Sequence, residues 1–136
     1  MLLSVAIQGE CLLALLDTGS THNFLQGDIM RRLGLQPAGG EHLRVTRDVP
    51  ISIKGEAFSI TCVGLNLGCF DCILGVDYLR TLGAILWDFE AMTMAFWRDG
   101  RRIYWQGVGA PTPVAPQQHA LAAIANAQQP MLDRLL

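Results

Sequence analysis

Over most of its first 105 residues the chain is a succession of short apolar runs of strand length, each closed by a turn signal. That punctuation constrains the fold more than any other feature. Residues 2–8 and 10–16 are apolar on either side of Gly9, which suits a hairpin or a sharp reversal. Residues 49–53 and 58–63 alternate around a Lys54-Gly55-Glu56 turn. Residues 92–97 and 102–105 pair across Arg98-Asp99-Gly100-Arg101, where Asp-Gly is a strong hairpin signal. Leu43-Arg44-Val45 reads as a separate weak strand, residues 70–74 as an apolar run ended by Gly75, and residues 85–89 as a further strand. Two short helices interrupt the pattern. Asn23 is placed to cap the first, which carries Leu25, Ile29 and Leu33 on one face, has Arg31 and Arg32 at its C-terminal end and stops at Gly34. Asp77 opens the second, which stops at Gly83. The expectation is a mostly β domain with one or two short helices.

Composition narrows the partners. With 51% hydrophobic and 16% charged residues in 136, the chain can bury one sizeable core without metals or disulfides. Ten Lys+Arg against 12 Asp+Glu give a charge of −2, so no basic field draws in nucleic acid. No stretch approaches the ~20 apolar residues of a membrane span, and the start lacks the basic region of a signal peptide. Cys11, Cys62, Cys69 and Cys72 sit among apolar neighbours and read as small core side chains of a soluble cytoplasmic chain. Cys69-Phe70-Asp71-Cys72 has metal-like spacing, but no second pair completes a site, and His22, His42 and His119 are scattered, so neither a metal nor another cofactor is expected. His22 reads as a surface residue; Trp87, Trp97, Trp105, Phe89 and Phe96 read as core. Arg98, Arg101 and Arg102 read as a solvated turn.

One segment has an obvious chemical reading. An apolar strand, Leu12-Leu13-Ala14-Leu15-Leu16, delivers Asp17 into the turn Asp17-Thr18-Gly19-Ser20. Glycine stands where backbone must approach something closely, and Thr18 and Ser20 place hydroxyls beside a carboxylate. On those residues alone, an aspartate-initiated turn with a structural glycine is the simpler reading. The same pattern also opens the phosphate-binding hairpin of actin-like and sugar-kinase-like ATPases. That fold needs two α/β domains, for which this chain has neither the length nor the strand–helix alternation.

The wider context favours another family. The segment Ala14-Leu15-Leu16-Asp17-Thr18-Gly19-Ser20-Thr21-His22-Asn23-Phe24-Leu25 resembles the active-site loop of retropepsin-class aspartic proteases, most closely those of plant gypsy-type long-terminal-repeat retrotransposons. Cys72-Ile73-Leu74-Gly75-Val76-Asp77-Tyr78-Leu79 is similar to the family's apolar-apolar-Gly strand and following helix, and the likeness runs on through Asp88-Phe89 and Met92-Thr93-Met94. The resemblance implies an all-β acid-protease fold: a closed β-barrel monomer forming half of a two-fold dimer. It implies an endopeptidase in which two carboxylates hold one water, an extended polypeptide as substrate, and processing of a retrotransposon polyprotein. Only one Asp-Thr-Gly is present, so the dyad requires a homodimer with Asp17 from each subunit. By the same resemblance Thr18 locks the two loops together, Gly19 offers a close backbone approach to substrate, Ser20 hydrogen-bonds near the carboxylate, and Gly75 lets the preceding strand pack beneath the loop.

Retropepsins close a glycine-bearing flap over substrate, and gypsy-type members usually show an Ala-Asn-Gly turn there. Here Leu43-Arg44-Val45-Thr46 runs straight into Arg47-Asp48-Val49-Pro50, so the segment is expected to be shorter by about a strand and a turn, with Gly39-Gly40 as a remnant. The rival reading is therefore a catalytically impaired remnant, acting at most as a dimerisation or peptide-binding module. The protease-like domain is expected over residues 1–107, followed by a Pro/Ala/Gln-rich linker over 108–119. Residues 120–136 read as a truncated C-terminal segment, the start of a connection towards reverse transcriptase.

Overall fold

The computed structural model describes residues 1–35 and 44–109. The expected linker and C-terminal segment, His42, His119 and Gly39-Gly40 lie outside the described residues, apart from Val108 and Gly109.

The first two apolar runs form the expected hairpin. Strands β1 (Leu2–Ile7) and β2 (Glu10–Leu16) pair antiparallel from Leu2↔Leu15 to Ile7↔Glu10, turning at Gln8 and Gly9, both with positive φ. The next element differs from expectation. Asn23–Gln26 is a strand, β3, and helix α1 begins only at Gly27 and ends at Arg32. Asn23 does not cap it; the N-cap position is Gln26, which makes no capping hydrogen bond. Phe24 and Leu25 are buried in two different clusters, which is the period of a strand with both faces covered.

Strand β4 (Arg44–Ile53) is continuous, where two strands were expected. A bulge joins them: the register with β5 (Glu56–Leu65) shifts between Thr46 and Val49, and Asp48 takes a positive φ. Lys54 and Gly55 make the expected turn. Strand β6 (Cys72–Leu74) follows, then helix α2 (Val76–Leu79) and a 3-10 turn (Arg80–Leu82) ended by Gly83 at φ 74. Strands β1 to β6 form a closed barrel in the order β1-β2-β6-β3-β5-β4, with β1 and β4 closing it through Val5↔Ile53 and Ala6↔Ser52. The remaining strands, β7 (Leu86–Asp88), β8 (Thr93–Arg98) and β9 (Arg101–Gln106), make a three-stranded antiparallel sheet.

That sheet buries one face only. Met94, Phe96 and Trp105 join the barrel residues in the larger core cluster, and Phe58 packs edge-on against both Tyr78 and Trp105. The alternate positions point outward, so Trp97 at 66% exposure is not core, and Phe89, in the turn after β7, is 76% exposed. The arginines also depart from a plain solvated turn. Arg98 lies 3.9 Å from the Phe58 ring centre, and Arg101 pairs with Glu56 at 2.6 Å. Among the described residues, no helix is long and apolar enough to cross a membrane.

Of the four cysteines only Cys62 and Cys72 are buried; Cys11 and Cys69 are exposed. Burial pushes the Cys62 thiol up to about 12, and burial, then the neighbouring Cys62 and Asp71, holds Cys72 well above its ordinary value. Burial likewise raises the Tyr78 hydroxyl, with Arg98 opposing. Above an ordinary thiol value of 9.0 the unfolded chain releases protons that the folded chain retains. Stability is therefore fully present below that pH and declines as pH rises towards the folded values. The melting temperature should fall steadily above about pH 9. A curve still flat at about pH 11 would contradict the buried thiols.

Candidate active site

Strands β2 and β3 are consecutive along the chain but are not neighbours in the barrel, because β6 lies between them. Strand β6 runs parallel to β2, with Ala14↔Cys72, Leu15↔Ile73 and Leu16↔Leu74 in register, and antiparallel to β3. The two parallel strands therefore end at the same level, where the Asp17 N–H donates to Leu74 O at 3.0 Å. The loop leaving Asp17 must then straddle the end of β6 to reach β3.

Within that loop the carboxylate is held by its own neighbours. The Gly19 N–H donates to Asp17 Oδ1 at 2.8 Å, and the Ser20 hydroxyl donates to Asp17 Oδ2 at 2.9 Å. Each oxygen has one local donor, which fixes the carboxyl orientation while Asp17 stays half-buried. Ser20 is buried at 1% exposure, whereas Thr18 and Gly19 are exposed on the same turn. A Cβ on Gly19 would sit 3.1 Å from Asp17 Oδ1 and crowd the group it supports.

Gly75 is the residue the loop crosses. A Cβ there would lie 2.4 Å from His22 O and 2.5 Å from Ser20 O. Around it the loop is tied down at three points. The Val76 N–H donates to Ser20 O and the Asp77 N–H to Thr21 O, both at 2.8 Å, and the Gly75 N–H donates to Asn23 Oδ1 at 3.0 Å. Asn23 also donates from Nδ2 to Thr61 O at 3.1 Å, so one side chain bridges β3, β5 and the start of α2. His22 is buried, not on the surface, with Nδ1 3.0 Å from Asp77 Oδ2; Arg80 reaches the other carboxylate oxygen of Asp77 at 3.7 Å.

The structure thus brings Asp17, Ser20, Gly19 and Gly75 together around one loop, with Thr18 at its exposed tip. Asn23, expected as a helix cap, and Asp77, expected as a helix start, also hold this loop. Neither spacing nor period marks them, because their partners lie more than fifty residues away or across the barrel. Replacing Asn23 with Ala leaves the Gly75 N–H and Thr61 O without that partner. It should cost about 1–3 kcal/mol in urea unfolding with little change in slope. An Asn23→Ala midpoint equal to wild type would show that the bridge is not needed.

A closed six-stranded barrel with an aspartate turn lying over a parallel strand pair is a retropepsin-like fold. Among solved structures, the chain is similar to the retroviral protease-like domain of Ddi1 from Leishmania major, at 15% identity and a TM-score of 0.63, over 82% of this chain and 94% of that one. A retropepsin-like aspartic protease from Rickettsia conorii aligns at 16% identity, TM-score 0.48, over 64% of this chain and 75% of that one. The EIAV protease complexed with the inhibitor HBY-793 aligns at 29% identity, TM-score 0.47, over 63% of this chain and 90% of that one. No protein-family model matches the chain, and neither does any curated protein.

Proposed function

We propose that this chain is one protomer of an aspartic endopeptidase, active as a homodimer. The observation that carries the reading is the Asp17 carboxylate, oriented by Gly19 and Ser20 at the end of β2 in a retropepsin-like barrel. One such loop occurs per chain, so a second Asp17 must come from a second copy. Two carboxylates about 3 Å apart do not both ionise, so the pair shares one proton. The ionised member takes a proton from a water held between them as that water attacks the peptide carbonyl; the protonated member donates to the carbonyl oxygen. An acidic optimum follows. Thr18, exposed at the loop tip, is placed to meet its counterpart, and the exposed Gly19 backbone to approach substrate. The substrate is an extended polypeptide, in this reading a retrotransposon polyprotein of the gypsy type, cut in the cytoplasm. Residues 1–107 form the protease unit, with 108–119 as linker and 120–136 as the connection onward.

A second reading has a specific observation behind it. Only the eight residues 36–43 separate the described end of the α1 region at Leu35 from β4, so little chain is available there for a flap. In that reading the same dimer binds peptide with little turnover. A mixing experiment tests the shared site. Equal amounts of wild-type and Asp17→Asn chains, allowed to exchange, should show specific activity per wild-type chain reduced to about half, since mixed dimers lack one carboxylate. Specific activity unchanged by mixing would contradict a site built from two chains.

A further inference from the structure

The outward face of the β7-β8-β9 sheet is unusually apolar. Leu86, Trp97 and Tyr104 are 67%, 66% and 63% exposed there. Pairing sets Leu86 and Tyr104 on either side of Ala95, and Trp97 two residues further along β8, opposite Arg102. Two hollows meet at Phe96 and Trp97. One, of about 480 Å³, reaches across to Phe58, Ser59 and Leu82; the other, of about 350 Å³, reaches to Leu86 and Arg102. None of the Asp17 loop residues lines either hollow.

The groove has backbone to offer as well as side chains. Among the described residues, positions 57–60 of β5 pair with β4 on one side only, and positions 96–98 of β8 pair with β9 on one side only. Ala57 O accepts from Arg98 and Thr61 O from Asn23, so the odd-numbered positions of this strand face away from β4. By the two-residue period of a strand, the Ser59 N–H and C=O face the groove side too. With Ala57 O and Thr61 O already engaged, Ser59 is the position at which this edge, beside apolar hollows, can hydrogen-bond an extended chain, with side-chain pockets for selectivity.

Charge selects the kind of chain. The charged side chains lining the two hollows are Arg98 and Arg102, and no acidic side chain lines either, although the whole sequence carries 12 acids to 10 bases. Arg98 lies over Phe58 and donates from Nη2 to Ala57 O, and its Nη1 is buried without a hydrogen-bond partner among the described residues, so its charge borders the groove. We propose that this groove docks an extended polypeptide segment alternating apolar and acidic residues. Trp97 and Leu86 receive the apolar side chains and the exposed Arg102 a carboxylate, with the Arg98 charge beside them.

The test uses the full-length Asp17→Asn protein, so that binding is read without cleavage and a failure of the protease reading leaves the result standing. The probes are two fluorescein-labelled octapeptides, one alternating valine and glutamate, the other valine and lysine, followed by fluorescence anisotropy. The glutamate peptide should bind, more weakly at high salt, and more tightly than the lysine peptide. Trp97→Ala and Arg102→Glu, both at exposed positions and checked for an unchanged melting temperature, should each weaken it about tenfold or more. Binding of neither peptide, equal binding of both, or indifference to both substitutions would overturn the proposal. So would self-association in sedimentation that Trp97→Ala abolishes, which would assign the face to a second copy.

Discussion

Gly75→Ala is expected to destabilise the protein by about 3 kcal/mol or more, lowering its melting temperature by roughly 10 °C or more. The reason is topological. Strand β6 lies between β2 and β3, so the loop joining those two crosses its end, and the crossing leaves no room for a side chain. The added Cβ would meet two backbone oxygens, His22 O at 2.4 Å and Ser20 O at 2.5 Å. Neither can swing aside as a flexible side chain would. Moving Ser20 O breaks its bond from the Val76 N–H, and moving the loop disturbs the Ser20 hydroxyl that orients Asp17. The substitution should therefore lower both stability and any Asp17-dependent activity, and the two losses should appear together. Thermal melts of Gly75→Ala beside Gly100→Ala separate this from a general penalty for removing glycine. Gly100 has a positive φ but nothing within 4 Å of the added carbon, so only backbone strain acts there. Equal losses for the two variants would mean that the crowding is relieved elsewhere.

Hairpins were the legible part of this fold. Gln8-Gly9, Lys54-Gly55 and Asp99-Gly100 each put a positive-φ pair between alternating strands, and such turns announce themselves locally. The same locality explains the failures. Strand β3 has four residues, too few to establish a period, and the spacing of Leu25, Ile29 and Leu33 imitated one face of a helix. Its Phe24 and Leu25 are instead buried on opposite faces, a fact that only the packing of other elements creates. The bulge that makes β4 one strand sits on Arg47-Asp48, two polar residues that read as an ordinary break. Trp97 reads as core from the sequence because aromatic residues on strands usually are. Which face of a three-stranded sheet meets the barrel is decided far away, by Phe58 and Tyr78. At the site, the sequence named the loop residues, since Asp17, Gly19 and Ser20 bond within four positions. The supports from Asn23 and Asp77 were invisible, because they depend on where β6 and α2 return.

The other large effect is Asp17→Asn. Asparagine has nearly the size and shape of aspartate. Its carbonyl oxygen can accept from the Gly19 N–H, and the Ser20 hydroxyl can turn to accept from the new amide, so the loop should keep its form. What is lost, under the proposed mechanism, is the group that takes a proton from water, and with it the shared proton of the proposed dyad. Proton transfer by a placed carboxyl group is worth several orders of magnitude, so cleavage should fall by about 10³-fold or more while the melting temperature stays close to that of wild type. The most direct measurement compares wild-type and Asp17→Asn chains, both folded, for cleavage of an unfolded protein substrate from about pH 4 to about pH 7, with and without pepstatin. Cleavage by wild type alone is expected, strongest on the acid side and blocked by pepstatin. Equal cleavage by both proteins would contradict the assignment of Asp17 as the catalytic residue, and no cleavage by either folded dimer would favour the peptide-binding reading.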